Sequence, residues 1–343
     1  VAAGPSPDTS GSGKPAGAGK ILRSREASVV LVLALLCLAM SLTSSRETFF
    51  QHRNLHVIAL QTSLLSIFAI GETLVIITGG IDLSLGSMIG FIGMLTAVLI
   101  TRLGVHLEPG PAVALGVLLA LMVATGIGAI HATLIHKLRL PPFVVTLASL
   151  LLLRSQALLL NNQLPVPLAE YPALLALASS IFPNTPYAIP VPTLVLLVVA
   201  VLTALALSRM KIGRYLYSVG SNEQATRLSG VNVYRVKLFA YSMSGLLGGV
   251  AGVLYAAYGA QGDPLAGTAY ELDAVAAAVV GGANLMGGQG SVVGTLLGAT
   301  LLHSILSSIN LTLANPDLWR GTLVGGVLLF AVLVTALNRR RVE

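Results

Sequence analysis

An all-α, polytopic membrane protein with about ten transmembrane helices and both termini in the cytoplasm is the architecture this sequence predicts. Three observations carry that expectation. The 343 residues are 55% hydrophobic and only 10% charged, with a mean hydropathy of +0.86, whereas a soluble domain carries about 25% charged residues. Apolar runs recur along the chain at the length of roughly 20 residues that crosses about 30 Å of hydrocarbon. With both ends inside, fifteen of the twenty Lys and Arg fall on the inner side and four lie outside or at outer span ends, and short Lys/Arg-rich loops are retained in the cytoplasm.

Residues 1–27 are rich in Gly, Ser, Pro and Ala and read as a disordered cytoplasmic tail. A transmembrane domain follows over 28–338. Its apolar runs are 28–45, 57–78, 83–103, 112–135, 142–160, 191–208, 237–259, 272–283, 292–312 and 321–337, and 272–283 is short for a full span. The 36 Gly suit helices that approach closely in lipid. The lone Cys37 makes a disulfide within the chain impossible. A pI near 9.8 raises the question of nucleic acid, but the basic residues gather at span ends, where orientation accounts for them.

The stretch 209–237, RMKIGRYLYSVGSNEQATRLSGVNVYRVK, is a polar inner loop holding six of the twenty cations. Its centre reads as a short helix: Ser221 or Asn222 caps it, Glu223 stands in the first turn, and Gly230 ends it. A capped helix outside the bilayer is suited to touching a partner. The outer side carries the acids Glu47, Glu108, Glu170, Asp263, Glu271, Asp273 and Asp317, and the outer segment 161–190 has no Lys or Arg. A basic inner face and an acidic outer face suit different partners on each side. An internal echo links GGIDLSLGSMIG (79–90) with GGANLMGGQGSVVG (281–294), and transporters are often built from repeats with interrupted helices.

Several residues invite a chemical reading. Asp82, in GGIDLSLGS, is part of a helix break that lines a path or braces a gate, or else Asp82 or Ser84 caps the third span. Glu72 lies deep in the second run, where an ionisable group faces protein or water. It reads as a structural partner of Arg154, as a pathway residue, or as a proton carrier. Asn284, Asn310, Gln261, Thr268 and Tyr258 suit a neutral polyol, and serve equally as bonds between helices. His131 and His136 do not form a metal site, no catalytic Ser/His/Asp set is assignable, and GGQGS (287–291) lacks the Lys of a phosphate-binding loop. The chain therefore does not read as an enzyme.

Three strings, TLVIITGGIDLSLGS (73–87), GRYLYSVGSNEQATRLSGVNVYRVK (213–237) and YELDAVAAAVVGGANLMGGQGSVVGTLLGA (270–299), resemble the permease subunits of bacterial ABC sugar importers. The likeness is to the ribose, xylose, galactofuranose and autoinducer-2 class, nearest to its ribose permeases, and covers the chain from about residue 27. The resemblance implies a multi-pass protein of the bacterial cytoplasmic (inner) membrane that pairs with a second copy or a sister permease. It implies a cytoplasmic ABC ATPase that uses ATP and Mg, no cofactor on this chain, and a periplasmic or lipid-anchored sugar-binding protein. The family's coupling helix maps onto Gly220, Ser221, Asn222, Glu223, Ala225, Thr226, Gly230 and Val231. Glu72, Asp82, Arg154, Asn284 and Asn310 are candidates for a pathway or gate; Glu170, Asp263, Glu271 and Asp273 are candidates for docking the binding protein. An ion-coupled secondary sugar transporter is the alternative from another class.

Overall fold

The computed structural model describes residues 25–340, apart from 184 and 186. Most of the expected tail lies outside the described residues; its last three belong to the first helix. The helices are α1 (Arg25–Ser41), α2 (Arg46–Phe49), α3 (His52–Ile77), α4 (Leu85–Leu103), α5 (Pro109–Lys137), α6 (Pro142–Leu159), α7 (Pro172–Leu175), α8 (Val191–Arg209), α9 (Lys211–Ser221), α10 (Glu223–Leu228), α11 (Val233–Gly259), α12 (Tyr270–Val280), α13 (Val292–Thr312) and α14 (Pro316–Arg340). Sheet is confined to four two-residue strands: β1 (Val166–Pro167), β2 (Ser180–Ile181), β3 (Ile189–Pro190) and β4 (Gln261–Gly262). β1 pairs antiparallel with β4, and β2 with β3.

A helix occupies each of the ten expected apolar runs. Among the described residues, seven are long and apolar enough to cross a membrane: α3, α4, α5, α6, α8, α11 and α13. Of the other three, α1 has 17 residues, α12 has 11, and α14 has 25, its stretch Leu318–Leu329 being apolar.

The helices form a bundle around α3. That helix is apolar on every face and is continuously buried from Thr62 to Ile77, as expected of a helix with no solvent or lipid side. α11 packs against α3, α4 and α5. Small residues make this approach possible: a Cβ on Gly128 of α5 would collide with the Tyr241 carbonyl of α11, and one on Gly245 with the Ala124 carbonyl of α5. α5, α6 and α8 form the outer layer, with exposed Leu118, Met122, Phe143, Leu151, Leu197 and Leu202. Such faces fit lipid or a second subunit.

The inner stretch 209–237 differs from the expected loop with one short helix. It holds two helices, α9 and α10, before α11 begins. α9 buries Gly213, Leu216 and Val219 on one face and exposes Lys211, Arg214 and Tyr215 on the other. Spacing of three residues between its buried positions gives a narrow apolar stripe, enough for a helix lying across the bundle end.

Gly128→Val is expected to cost about 1–3 kcal/mol through overpacking against α11. A lower thermal transition in detergent checks this, with Gly126→Ala, whose Cβ meets nothing within 4 Å, melting like the parent chain.

Candidate functional site

α10 is an exposed, fully capped helix. The Asn222 Oδ1 accepts the Ala225 N–H at 2.9 Å, so Asn222 is the cap, while the Ser221 hydroxyl donates back to the Tyr217 carbonyl at 2.8 Å. Thr226 is buried and holds α10 against α9: its hydroxyl donates to the Asn222 carbonyl at 2.7 Å and lies 2.9 Å from the Ser218 hydroxyl. Glu223 bonds to Arg227 at 3.0 Å and to Lys237 at 2.7 Å, which ties α10 to the first turns of α11. Partial burial pushes the Glu223 carboxyl up, but Lys237 and Arg227 outweigh it and hold the group below its ordinary value. Gly230 ends the segment at φ +82°, and Asn232 caps α11 by accepting the Arg235 N–H at 3.1 Å. Ala225 and Gly230 are exposed, and Val231 is half-buried. Leu228, which sequence reasoning missed, is 82% exposed at the tip. Its signal was an apolar residue in a run otherwise polar.

Beneath α9 lie two glycine turns. Each ends a helix with a left-handed glycine and a six-to-one bond: Gly79 (φ +82°) with Gly80 N–H to Val75 O at 3.2 Å, and Gly282 (φ +99°) with Ala283 N–H to Ala278 O at 2.9 Å. Each is followed by a side chain accepting the N–H two residues on, Asp82 from Ser84 at 3.1 Å and Asn284 from Met286 at 3.1 Å. The internal echo is thus a shared turn geometry. The two turns meet under the end of α9. Gly288 N–H donates to the Ile77 carbonyl at 2.9 Å, Tyr217 donates to the Gly290 carbonyl at 2.8 Å, and a Cβ on Gly220 would collide with the Ile77 carbonyl. All three sequence strings that carry the family resemblance come together here.

The deep charges have specific partners. Asp82 is fully buried and accepts from the Ser84 hydroxyl at 2.6 Å and from Ser244 of α11 at 2.8 Å, so it joins the α3–α4 turn to α11. The N-cap of α4 is Ser84 rather than Asp82. Glu72, also fully buried, accepts the Asp82 N–H at 3.2 Å on each oxygen. Arg154 is not its partner. The Arg154 guanidinium donates instead to the carbonyls of Pro264 at 2.6 Å, Ala266 at 2.9 Å and Gly86 at 3.4 Å.

The Pro264 and Ala266 carbonyls belong to an irregular segment, 263–269, that follows α11 and leads into α12. α12, which starts there, has 11 residues and so rises only about 16 Å, near half the hydrocarbon thickness. Gly267 lies against the Gly86 carbonyl of α4, and Tyr270 stacks on Phe68 of α3 at 6.4 Å. Irregular backbone at such depth requires protein or a cavity around it, and Arg154 supplies donors to it. Beside it is a cavity of about 240 Å³ lined by Gln61, Tyr255, Tyr258, Gln261, Asp263 and Tyr270, among others.

The remaining candidates are scattered. Glu170 is exposed on the outer segment; Glu271 is half-buried beside Gly86. Asp273 is only 5% exposed and accepts from Arg320 at 2.6 Å, so its carboxylate points into the bundle rather than outward. Asn284 sits at the inner glycine turn, Asn310 is exposed near the end of α13, and neither lines the cavity. Gln261 and Tyr258 do. No cluster of metal-ligating side chains occurs among the described residues.

A helical bundle with seven helices long and apolar enough to cross a membrane among its described residues defines a multi-pass membrane protein. Residues 54–333 match the family described as branched-chain amino acid transport system / permease component, and the chain belongs to that permease family. It is 38% identical to the ribose import permease protein RbsC of Escherichia coli strain K12, over 88% of this chain and 92% of that relative. It is 35% identical to RbsC of Haemophilus influenzae, over 81% and 84%, and 33% identical to the autoinducer 2 import system permease protein LsrC of Yersinia enterocolitica, over 88% and 80%. No solved structure matches.

The lowered Glu223 value makes α10 sensitive to acid. Its bonds to Lys237 and Arg227 are intact at neutral pH, and they are lost as pH falls through the folded value. Amide exchange in α10, corrected for intrinsic rate, is expected to rise on acidification below the usual carboxylate range, and Glu223→Gln to show the faster exchange already at neutral pH.

Proposed function

We propose that this chain is the transmembrane permease subunit of an ATP-driven, binding-protein-dependent importer that carries a ribose-like monosaccharide into the cytoplasm. The single observation that carries the reading is α10, capped and exposed, seated through α9 on the glycine turns that close α3 and α12. The ribose import and autoinducer 2 import relatives support the sugar class more narrowly than the family description does.

In this reading α10 enters a groove on a separate cytoplasmic ABC ATPase, with Leu228, Ala225 and Gly230 at the contact. ATP and Mg belong to that partner, and this chain holds no cofactor. The clustering of Lys and Arg in 209–237 and near both ends of the chain supports an orientation with α10 and both termini on the cytoplasmic side of the bacterial inner membrane. Closure of the ATPase halves pulls α10. The Thr226–Ser218 contact and the Glu223–Lys237 bond pass that pull to α9 and α11. From there it reaches the two glycine turns and the Asp82–Ser244 clasp, which acts as the inner gate with Glu72. The outer segment, with Glu170 exposed, receives a sugar-loaded binding protein. The apolar faces of α5, α6 and α8 meet lipid and a second permease subunit.

The test is ATPase activity of the chain assembled in nanodiscs with its ATPase and binding protein. Stimulation by sugar-loaded binding protein is expected. Glu223→Lys, or a bulky residue at Gly230, whose left-handed backbone disfavours side chains, is expected to abolish that stimulation. Scrambling 220–231 is expected to prevent association. Undiminished stimulation in both point variants would overturn the coupling role.

A further inference from the structure

The turn that joins α5 to α6, residues 138–141, shares a cavity with α10 and the first turns of α11. The space is about 640 Å³, within the roughly 300–1,000 Å³ of ligand pockets. Lys137, Arg139, Arg227 and Lys237 line it, and Glu223 is the one acid among the lining residues. Glu223 is already shared between Arg227 at 3.0 Å and Lys237 at 2.7 Å. Lys137 and Arg139 form no ion pair among the described residues. Four cations against one carboxylate leave a surplus of positive charge.

Both unpaired cations are held in place. The Lys137 ammonium lies over the Tyr234 ring at 5.4 Å, and the Tyr234 hydroxyl is 3.1 Å from the Thr133 hydroxyl of α5. Arg139 has φ +53°, a left-handed backbone that disfavours a residue with a Cβ. The neighbours of these cations are apolar. Leu138 and Leu140 are exposed on either side of Arg139, and Phe143, Val144, Leu147 and Leu151 are exposed along α6. At 3.6 residues per turn those four fall within about 100° of one another around the helix. α6 is long and apolar enough to cross a membrane, so the stripe meets hydrocarbon and the cations at its end meet the headgroup layer.

Charge and stripe together narrow the ligand. A free phosphate or an acidic peptide satisfies the cations and leaves the stripe unused. A zwitterionic lipid covers the stripe, but its own cation opposes the charge of the cavity. An anionic phospholipid satisfies both, as basic pockets between membrane helices do for such headgroups.

We propose that the α5–α6 turn and α10 form a binding site for an anionic phospholipid. Lys137 and Arg139 take its phosphate, and an acyl chain runs along Phe143, Val144 and Leu147. The site goes beyond the importer reading and does not depend on it, since it needs only that α5 and α6 cross a bilayer.

The experiment is native mass spectrometry of the full chain released from nanodiscs of dioleoyl phosphatidylglycerol and dioleoyl phosphatidylcholine in equal parts. Preferential retention of phosphatidylglycerol is expected. Arg139→Gly is expected to cut that preference about fivefold, the worth of one cation near a membrane surface. Its melting temperature is expected to hold or rise, because glycine adopts φ +53° freely. Lys137→Gln is expected to lower the preference by a similar factor. Arg214→Gln removes an exposed cation on α9 outside the cavity and is expected to keep it. Retention of both lipids alike overturns the site. So does an equal loss in Arg214→Gln and Arg139→Gly, which means diffuse attraction to a basic face. Displacement of the lipid by an equal concentration of glycerol 3-phosphate means that the phosphate alone is read, and it overturns the phospholipid. If the parent chain shows no lipid preference and Arg139→Gly instead loses the ATPase, the cavity belongs to that protein contact. The lipid site then fails while the importer reading stands.

Discussion

The backbone contact between Gly288 and Ile77, an N–H to carbonyl bond of 2.9 Å, is the constraint on which the inner half of the molecule depends. It joins the end of α3 to the turn between α12 and α13. α9 then lies on that junction at Gly220, so closely that no Cβ fits. Three chain segments far apart in sequence meet here, two joined by main chain and the third held by close backbone packing at Gly220 and by the Tyr217 hydroxyl on the Gly290 carbonyl. Main-chain contact is less compressible than side-chain packing, because no rotamer can absorb the displacement. A shift of α9 therefore cannot be taken up locally.

Charge within the bundle serves the same end. A buried ionisable group is costly unless it is bonded, and Asp82, Glu72, Arg154 and Asp273 each hold backbone or join helices. Asp82 holds its own turn and reaches Ser244 on α11. Glu72 accepts the Asp82 N–H. Arg154 supplies the carbonyls of the irregular segment, and Asp273 holds Arg320, which also covers the Tyr270 ring at 5.1 Å. The helix breaks that a membrane would otherwise forbid are thus stabilised by the ionisable residues nearest to them.

What could be read from sequence was whatever one segment carries by itself. The apolar runs placed the helices because burial in lipid needs length and apolarity alone. The run 272–283 was short for a full span, and the fold makes it the 11-residue α12. Asn222 and Glu223 marked α10, although Ser221 was an equal choice of cap until the Tyr217 carbonyl claimed its hydroxyl. α9 was missed because its buried stripe, Gly213, Leu216 and Val219, is narrow, holds a glycine and is interleaved with cations. Partners across the bundle were not legible. Glu72 and Arg154 looked complementary as the clearest deep charges, yet each bonds to backbone. Asp273 sat among outer acids in the sequence but turns inward to Arg320. Gln61 had no signal at all, being one polar residue in an apolar helix, and only the fold sets it beside Tyr258 and Gln261.

α12 has a particular place in this arrangement. Its C-terminal end leads into the glycine turn under α9, and its N-terminal end carries Tyr270 at the cavity wall. Its 11 residues make it a stiff rod of about 16 Å, too short to bend and buried along most of its length. A full span would place those ends on opposite membrane faces. A half-length helix instead joins the inner surface directly to mid-depth. The break leaves an irregular segment, 263–269, at the N-terminal end of α12, held by the Arg154 guanidinium, and the half-helix joins that segment rigidly to the glycine turn beneath α9.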